Sequence, residues 1–246
     1  MIGTSLPKRV QLSPSINERR GNKPISILLL HYTGMESAEK ACDWLCRKES
    51  QVSCHYLVDE QGGIVQMVDE GKRAWHAGVS NWHGDEDINS ASVGIEIHNT
   101  GHGLGYQPFP AKQMQAVVEL SKDIVARNKI EPRNVLAHSD VAPGRKVDPG
   151  EKFDWGYLFE CGVGHWVEPE EISGGSFLQE GDAGDPVLAV QTLLKFYGYG
   201  LETSGTFDKQ TRAVVEAFQR HFRQARVDGI ADASTVATLH RLLRSL

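Results

Sequence analysis

The sequence predicts an α/β chain, strands alternating with helices, followed by a small three-helix bundle at the C-terminus. Three observations predict it. The run Ile25-Ser26-Ile27-Leu28-Leu29-Leu30 is almost continuously apolar, as a strand covered on both faces must be. Ser92 to His98 alternates, with Val93, Ile95 and Ile97 on one side and Gly94, Glu96 and His98 on the other. Past Glu168 to Asp185, where acidic residues, Gly and Ser dominate and no apolar period persists, three short amphipathic stripes follow. The expected division is 1–166 for the sheet domain, 167–179 for a linker and 180–246 for the bundle.

Residues 1–24 are polar, with Pro, Arg and Lys, and carry no apolar h-region, so no secretory signal is expected in them. Ser37 to Glu49 reads as a helix capped by Ser37, with Ala41, Trp44 and Leu45 on one face and Trp44 expected in the core. His55 to Val58 and Ile64 to Val68 make a hairpin across Gln61-Gly62-Gly63. Arg73 to Asn89 is a loop holding Trp75, His76, Trp82 and His83. Composition does not decide whether these rings form a stacking surface or plug the loop onto the core. Gly101 to Pro110 is a Gly-rich cleft rim; no GK[ST] follows, so it is not a phosphate cradle.

Pro110 to Asn128 is an amphipathic helix whose stripe, Met114, Val117, Val118, Ser121, Ile124 and Val125, belongs in the core. Asn134 to Ala137 is a brief strand, and a short helix from Trp155 to Leu158 closes the domain. In the bundle, Val187, Val190, Leu194 and Tyr197 mark one helix. Val214, Phe218 and Phe222 mark a second, capped by Asp208, and Val236, Leu239 and Leu243 mark a third.

The net charge is −6 with both signs intermixed, which argues against a nucleic-acid partner, since that would call for a basic stripe. No run of eighteen apolar residues exists, so no membrane span is expected. Cys42, Cys46, Cys54 and Cys161 do not space like a disulfide framework and read as reduced, mostly buried thiols.

The chemistry concentrates in Ala137-His138-Ser139-Asp140 through Lys146-Val147-Asp148-Pro149-Gly150, a Gly/Pro-bent segment behind a short strand. Imidazole and carboxylate are zinc donors, and a catalytic zinc keeps three protein ligands and one open position. His138 and Asp148 are candidate ligands, Lys146 a charge stabiliser, and His31, at the end of the first buried strand, the candidate third ligand. With ten histidines in the chain, spacing alone leaves each of them readable as a satisfied core or surface residue. Glu96 is either a salt-bridged carboxylate at a sheet edge or a desolvated catalytic base.

His31-Tyr32-Thr33, Arg73-Ala74-Trp75-His76-Ala77-Gly78, Val93-Gly94-Ile95-Glu96-Ile97 and His138-Ser139-Asp140 through Gly144-Arg145-Lys146-Val147-Asp148-Pro149-Gly150 together resemble the zinc-dependent N-acetylmuramoyl-L-alanine amidases of the type-2 amidase family. The resemblance runs from about Ile27 to Tyr157. It implies a central mixed β-sheet flanked by helices and one zinc ion per chain on His31, His138 and Asp148. It also implies catalytic roles for Glu96 and Lys146 and a substrate cleft lined by Trp75 and His76. His55 is expected at the floor of the site as a hydrogen-bonding residue, either structural or substrate-binding, and the planar fork of Arg145 is expected to hold a stem-peptide carboxylate. Where some members carry a catalytic tyrosine this chain has Cys54, which places it in the branch that uses the glutamate.

Residues 180–244, with Gln191, Gly198-Tyr199, Gly205-Thr206-Phe207-Asp208, Thr211, Phe218-Gln219, Asp228-Gly229, Asp232 and Thr235, resemble a peptidoglycan-binding helical module. The implied reaction is hydrolysis of the amide between N-acetylmuramic acid, or its 1,6-anhydro form, and L-alanine of the stem peptide. Peptidoglycan or muropeptides are the implied partners. The alternatives are a recognition protein that binds wall fragments without cleaving them, and a zinc hydrolase of another amide. A wall-binding module suggests the cell envelope (periplasm), whereas the missing signal and unpaired cysteines suggest the cytoplasm; the envelope is the expectation.

Overall fold

The computed structural model describes residues 2–246. In chain order the elements are β1 (Arg9–Val10), β2 (Ile16–Glu18), β3 (Ile27–Tyr32), α1 (Ala38–Leu45), β4 (Tyr56–Val58), β5 (Ile64–Gln66), β6 (Lys72–Ala74), α2 (Ile88–Ala91), β7 (Ser92–Ile97), α3 (Ala111–Asn128), β8 (Val135–Ala137), α4 (His138–Val141) and α5 (Trp155–Glu160). The C-terminal part adds β9 (Phe177–Leu178), α6 (Asp185–Tyr197), α7 (Lys209–Phe222), β10 (Ala231–Asp232) and α8 (Ala233–Arg244). The six-stranded sheet runs β1-β5-β4-β7-β3-β8. It is mixed: β3 lies parallel to β7 and β8, β4 parallel to β7, and β5 antiparallel to β4.

Alternation assigns the two faces. Leu28, Leu30, Val93, Ile95 and Ile97 point to one side and pack with Met114, Val117, Leu120 and Ile124 of α3 and Trp155 and Leu158 of α5. Ile27, Leu29 and Leu136 point to the other and share a hydrophobic cluster with Val187, Leu194, Val214, Phe218 and Leu239 of the C-terminal helices. A largely parallel sheet needs helices on both faces, and here the bundle supplies much of the second layer. Next to it on that face, α1 covers β4 and β5 through Ala41, Cys42, Leu45, Leu57 and Val65.

The segment expected to be a free linker runs along α8. The Glu170 N–H donates to Thr238 Oγ1, and Ser234 Oγ donates to the Glu170 carbonyl. β9 then pairs antiparallel with β10. Trp82 is the joint on the other side. It is buried against Tyr197 and Tyr199, with Nε1 donating to Asn134 Oδ1. Gly198, at φ +145°, lets the chain pass there; a Cβ at this position would sit 2.6 Å from the indole.

Most expected elements are present, with shifts. Ser37 caps α1, its side chain accepting from the Lys40 N–H, but the helix ends at Leu45. Asp208 caps α7 by accepting from the Thr211 N–H. The polar N-terminal stretch contributes β1 at the sheet edge and β2, which pairs with β6. All four cysteines are free thiols. No helix among the described residues is long and apolar enough to cross a membrane. Trp44, expected in the core, is 43% exposed. Ala41, Cys42 and Leu45 make the buried stripe of α1, and Trp44 falls at its margin.

Candidate metal centre and cleft

The parallel register of β3 and β7 sets His31 beside Glu96 on the bundle-facing side of the sheet. The adjacent strand β8 delivers His138, the first residue of α4. The chain then loops back, and the Ser139 N–H donates to the Asp148 carbonyl at 3.1 Å, fixing one ligand-bearing segment against the other. The Asp148–Pro149 peptide is cis.

Three donor atoms converge. His31 Nδ1 lies 2.9 Å from His138 Nδ1 and 3.1 Å from Asp148 Oδ2, and His138 Nδ1 lies 3.0 Å from Asp148 Oδ2. Around a tetrahedral zinc with donors at about 2.0–2.1 Å, neighbouring donors are about 3.3–3.4 Å apart. A widening of a few tenths of an ångström admits the ion. The donor chemistry suits a cation too. His138 Nε2 lies 3.0 Å from the Ala77 carbonyl, which can only accept, so Nδ1 is the nitrogen turned toward His31 and Asp148. Burial, helped by His138, lowers the pKa of His31 to about 4, which keeps the ring in its neutral, ligating form. Burial alone would raise Asp148, but the two imidazoles hold it well below the usual carboxylate range. The residues present fit a zinc ion.

His31 Nε2 faces His76 Nδ1 at 2.9 Å, and His76 Nε2 faces Ser92 Oγ at 3.3 Å. Cys54 completes a second trio with His31 and His76, on the far side of the His31 ring. Burial pushes the Cys54 thiol well above its usual range, so it stays protonated; this trio orients His31.

A cleft of about 300 Å³ opens over the first triad, between α1 and the loop that carries Lys146 and Asp148. Glu96 and Lys146 both line it. Glu96 Oε2 is buried without a hydrogen-bond partner among the described residues. Desolvation, and then the charge of Asp148, push this carboxyl well above its ordinary pKa, while Lys146 pulls it down. A divalent ion at the triad would add to that downward pull.

Trp75 and His76 line the cleft as expected, with Trp75 Nε1 tied to Asn17 Oδ1 at 2.6 Å. Two expected substrate contacts are not in the cleft. His55 is buried beneath the site and hydrogen-bonded, as its place at the floor implies, but does not line the cleft: Nδ1 accepts from the Gly94 N–H, and Nε2 sits between Arg19 and the Lys72 carbonyl. Arg145 turns away as well. Its guanidinium donates to the carbonyls of Ala77 and Val79, which leaves it no free fork for a substrate carboxylate. It steadies the turn whose Ala77 carbonyl sets the His138 tautomer. Trp44, Tyr32, Met35 and Val52 also line the cleft and were missed. For Trp44 a signal existed, a large ring at the margin of a helical stripe just after a ligand-bearing strand.

Residues 21–151 match the family model for N-acetylmuramoyl-L-alanine amidase, and residues 183–239 match that for a putative peptidoglycan binding domain. The chain is 39% identical over 234 residues to N-acetylmuramoyl-L-alanine amidase AmiD of Escherichia coli (strain K12), covering 89% of this chain and 82% of that one. Its structure is similar to that of AmiD from E. coli in complex with the substrate anhydro-N-acetylmuramic acid-L-Ala-D-γ-Glu-L-Lys, with a TM-score of 0.77, 36% identity and 93% of each chain covered. It is also similar to AmpDh3 from Pseudomonas aeruginosa in complex with anhydromuramic pentapeptide, with a TM-score of 0.75, 29% identity, and 93% of this chain and 95% of that one covered.

Proposed function

The chain belongs to the N-acetylmuramoyl-L-alanine amidase family, and on that premise we propose that it is a zinc hydrolase of the amide joining N-acetylmuramic acid, or its 1,6-anhydro form, to L-alanine of the stem peptide. The observation that carries this reading is the convergence of His31 Nδ1, His138 Nδ1 and Asp148 Oδ2 within 3.1 Å of one another, in a cleft also lined by Glu96 and Lys146. His31, His138 and Asp148 would hold one zinc ion. Bound there, zinc supplies the Lewis acidity that acidifies water and polarises an amide carbonyl.

The chain's own residues do the rest. Glu96, buried and unpartnered at Oε2, takes a proton from the attacking water and delivers it to the departing amine of L-alanine. Lys146 lines the same cleft and opposes the negative charge that develops on the carbonyl oxygen. His76 holds the far nitrogen of His31 and fixes that ring. Trp75 and Trp44 offer apolar faces to the sugar or the lactyl group.

The test is metal content together with turnover on a soluble anhydro-N-acetylmuramyl peptide. Glu96→Gln is expected to lower turnover by about 10²–10⁴-fold with zinc content unchanged. Lys146→Met is expected to lower it by about 10²–10³-fold. Wild-type turnover in Glu96→Gln overturns the proton-transfer role. A purified protein that is active without zinc overturns the metal role. The wall-binding resemblance of the bundle favours work in the cell envelope, and recovery of the protein only in the cytosolic fraction would overturn that placement.

A further inference from the structure

Asp140 lies two residues after His138 and is fully buried. Its Oδ2 accepts from the Ala137 N–H at 2.8 Å, which caps the single turn that begins with His138. The other two partners come from the C-terminal bundle. His221 Nδ1–H of α7 donates to Oδ2 at 2.7 Å, and the Tyr199 hydroxyl donates to Oδ1 at 2.8 Å. The His221 ring is clamped by stacking, 3.7 Å from Trp155 and 3.8 Å from Phe222 between centroids. Tyr199 is fully buried beside Trp82. The bundle also grips the chain just past the other ligand: Gln224 Nε2 donates to the carbonyls of Glu151 at 2.9 Å and Phe153 at 2.6 Å.

A buried carboxylate is tolerated only when its lone pairs are filled. Filled in this way, it fixes the backbone turn from which His138 projects. We propose that Asp140 is a positioning residue for the metal triad and that Tyr199 and His221 of the bundle complete it, so that the wall-binding module is also part of the scaffold of the metal centre. The inference rests on the zinc reading given above and goes beyond it, because it assigns to the module a role that needs no polymeric substrate.

The test uses the full chain, stripped of metal and titrated with Co2+, followed by visible absorption, and with Zn2+ against a chromophoric chelator. Tyr199→Phe/His221→Phe keeps both rings and the stack but removes both donors. It is expected to weaken metal binding by about 10–100-fold and to shift the Co2+ spectrum, at temperatures well below its melting point. His221→Asn, whose amide can replace the Nδ1–H, is expected to retain more affinity than His221→Phe. Leu239→Ala, in the buried core of the bundle, is expected to lower Tm while leaving metal affinity unchanged.

Unchanged affinity in the double variant overturns the inference, as does an equal loss in Leu239→Ala. If the double variant does not fold, Tyr199→Phe alone decides: a several-fold loss of affinity supports the inference and none overturns it. A wild-type chain that binds neither ion overturns the metal reading and this inference with it. Wild-type binding with indifferent variants overturns this inference alone.

Discussion

On one face of the sheet, Leu28, Leu30, Val93 and Ile95 meet α3 and α5, elements of the same domain, and the contact is largely apolar, with Gln113 of α3 donating to the Val58 and His98 carbonyls. On the other face, Ile27, Leu29 and Leu136 meet helices that begin some fifty residues after β8. That second face also carries His31, Glu96 and the carboxylate network of Asp140. Both faces have a buried core, yet the first is given mainly to packing while the second divides its area between packing and chemistry. Where the cover stops, between α1 and the loop that carries Lys146 and Asp148, the cleft opens. A face that must stay open for substrate cannot be closed by one long helix, so two separate covers meet at its rim.

The strongest way to break this comparison is to remove residues 180–246. If the bundle is a tethered accessory, the remainder stays soluble and folds cooperatively. The shared core predicts the opposite. Truncation bares Ile27, Leu29, Trp82, Ile88 and Leu136, a contiguous apolar surface of a kind that drives association. We expect an aggregating product without a cooperative melt; a sharp melt of a soluble monomer would refute the shared core. A smaller perturbation sharpens the same point. Trp82→Ala on the bundle side and Ile95→Ala on the α3 side should each cost about 2–5 kcal/mol. Only Trp82→Ala should selectively speed hydrogen exchange in α6 and the turn at Gly198, where the indole packs. Equal acceleration in α6 by Ile95→Ala would erase the distinction between the faces.

Local periodicity carried much of this fold. The stripe of α3 and the alternation of β7 each depend only on neighbours in the chain, so the helix, the strand and the shared side of Gly94 and Glu96 were legible. The convergence of His31, His138 and Asp148, with Glu96 and Lys146 in the same cleft, was legible only once four motif blocks were taken together, because a histidine at a strand end has no spacing of its own. What could not be read was which stripe covers which face. Val187, Leu194 and Phe218 read as the interior of a separate bundle because an amphipathic stripe does not name its partner. The same limit hid the partners of Asp140, which lie 59 and 81 residues away. Arg145 and, as a substrate contact, His55 were misread for the converse reason. Their side chains suit substrate carboxylates and hydrogen bonds, but nearby carbonyls and backbone N–H groups took them first.

The α3 face offers the mildest test, and it is set by pH. Glu70 is buried and accepts from Tyr56 at 2.6 Å, while Arg127, in the last turn of α3, spans both its oxygens at 2.7 and 2.8 Å. Burial alone would raise this carboxyl, but the hydrogen bonds from Arg127 and Tyr56 hold it below its ordinary value. A depressed folded pKa means that the unfolded chain takes up the proton first as the medium is acidified. The contribution of Glu70 is therefore complete above its unfolded value of about 4.3 and fades as pH falls through the folded one. Removing one partner of a buried pair costs about 3–5 kcal/mol. Since about a third of the Arg127 side chain remains in water, we expect about 2–3 kcal/mol for Glu70→Gln at neutral pH. The gap in stability between wild type and variant should hold steady above pH 5 and narrow below it, as read from melting temperatures across pH. The difference between the two chains cancels the titration of His31, His138 and Asp148, which both share. A gap that stays constant down to acid unfolding would mean that Glu70 docks α3 by shape rather than by charge, and the ion pair on the α3 face would then add nothing to its apolar packing.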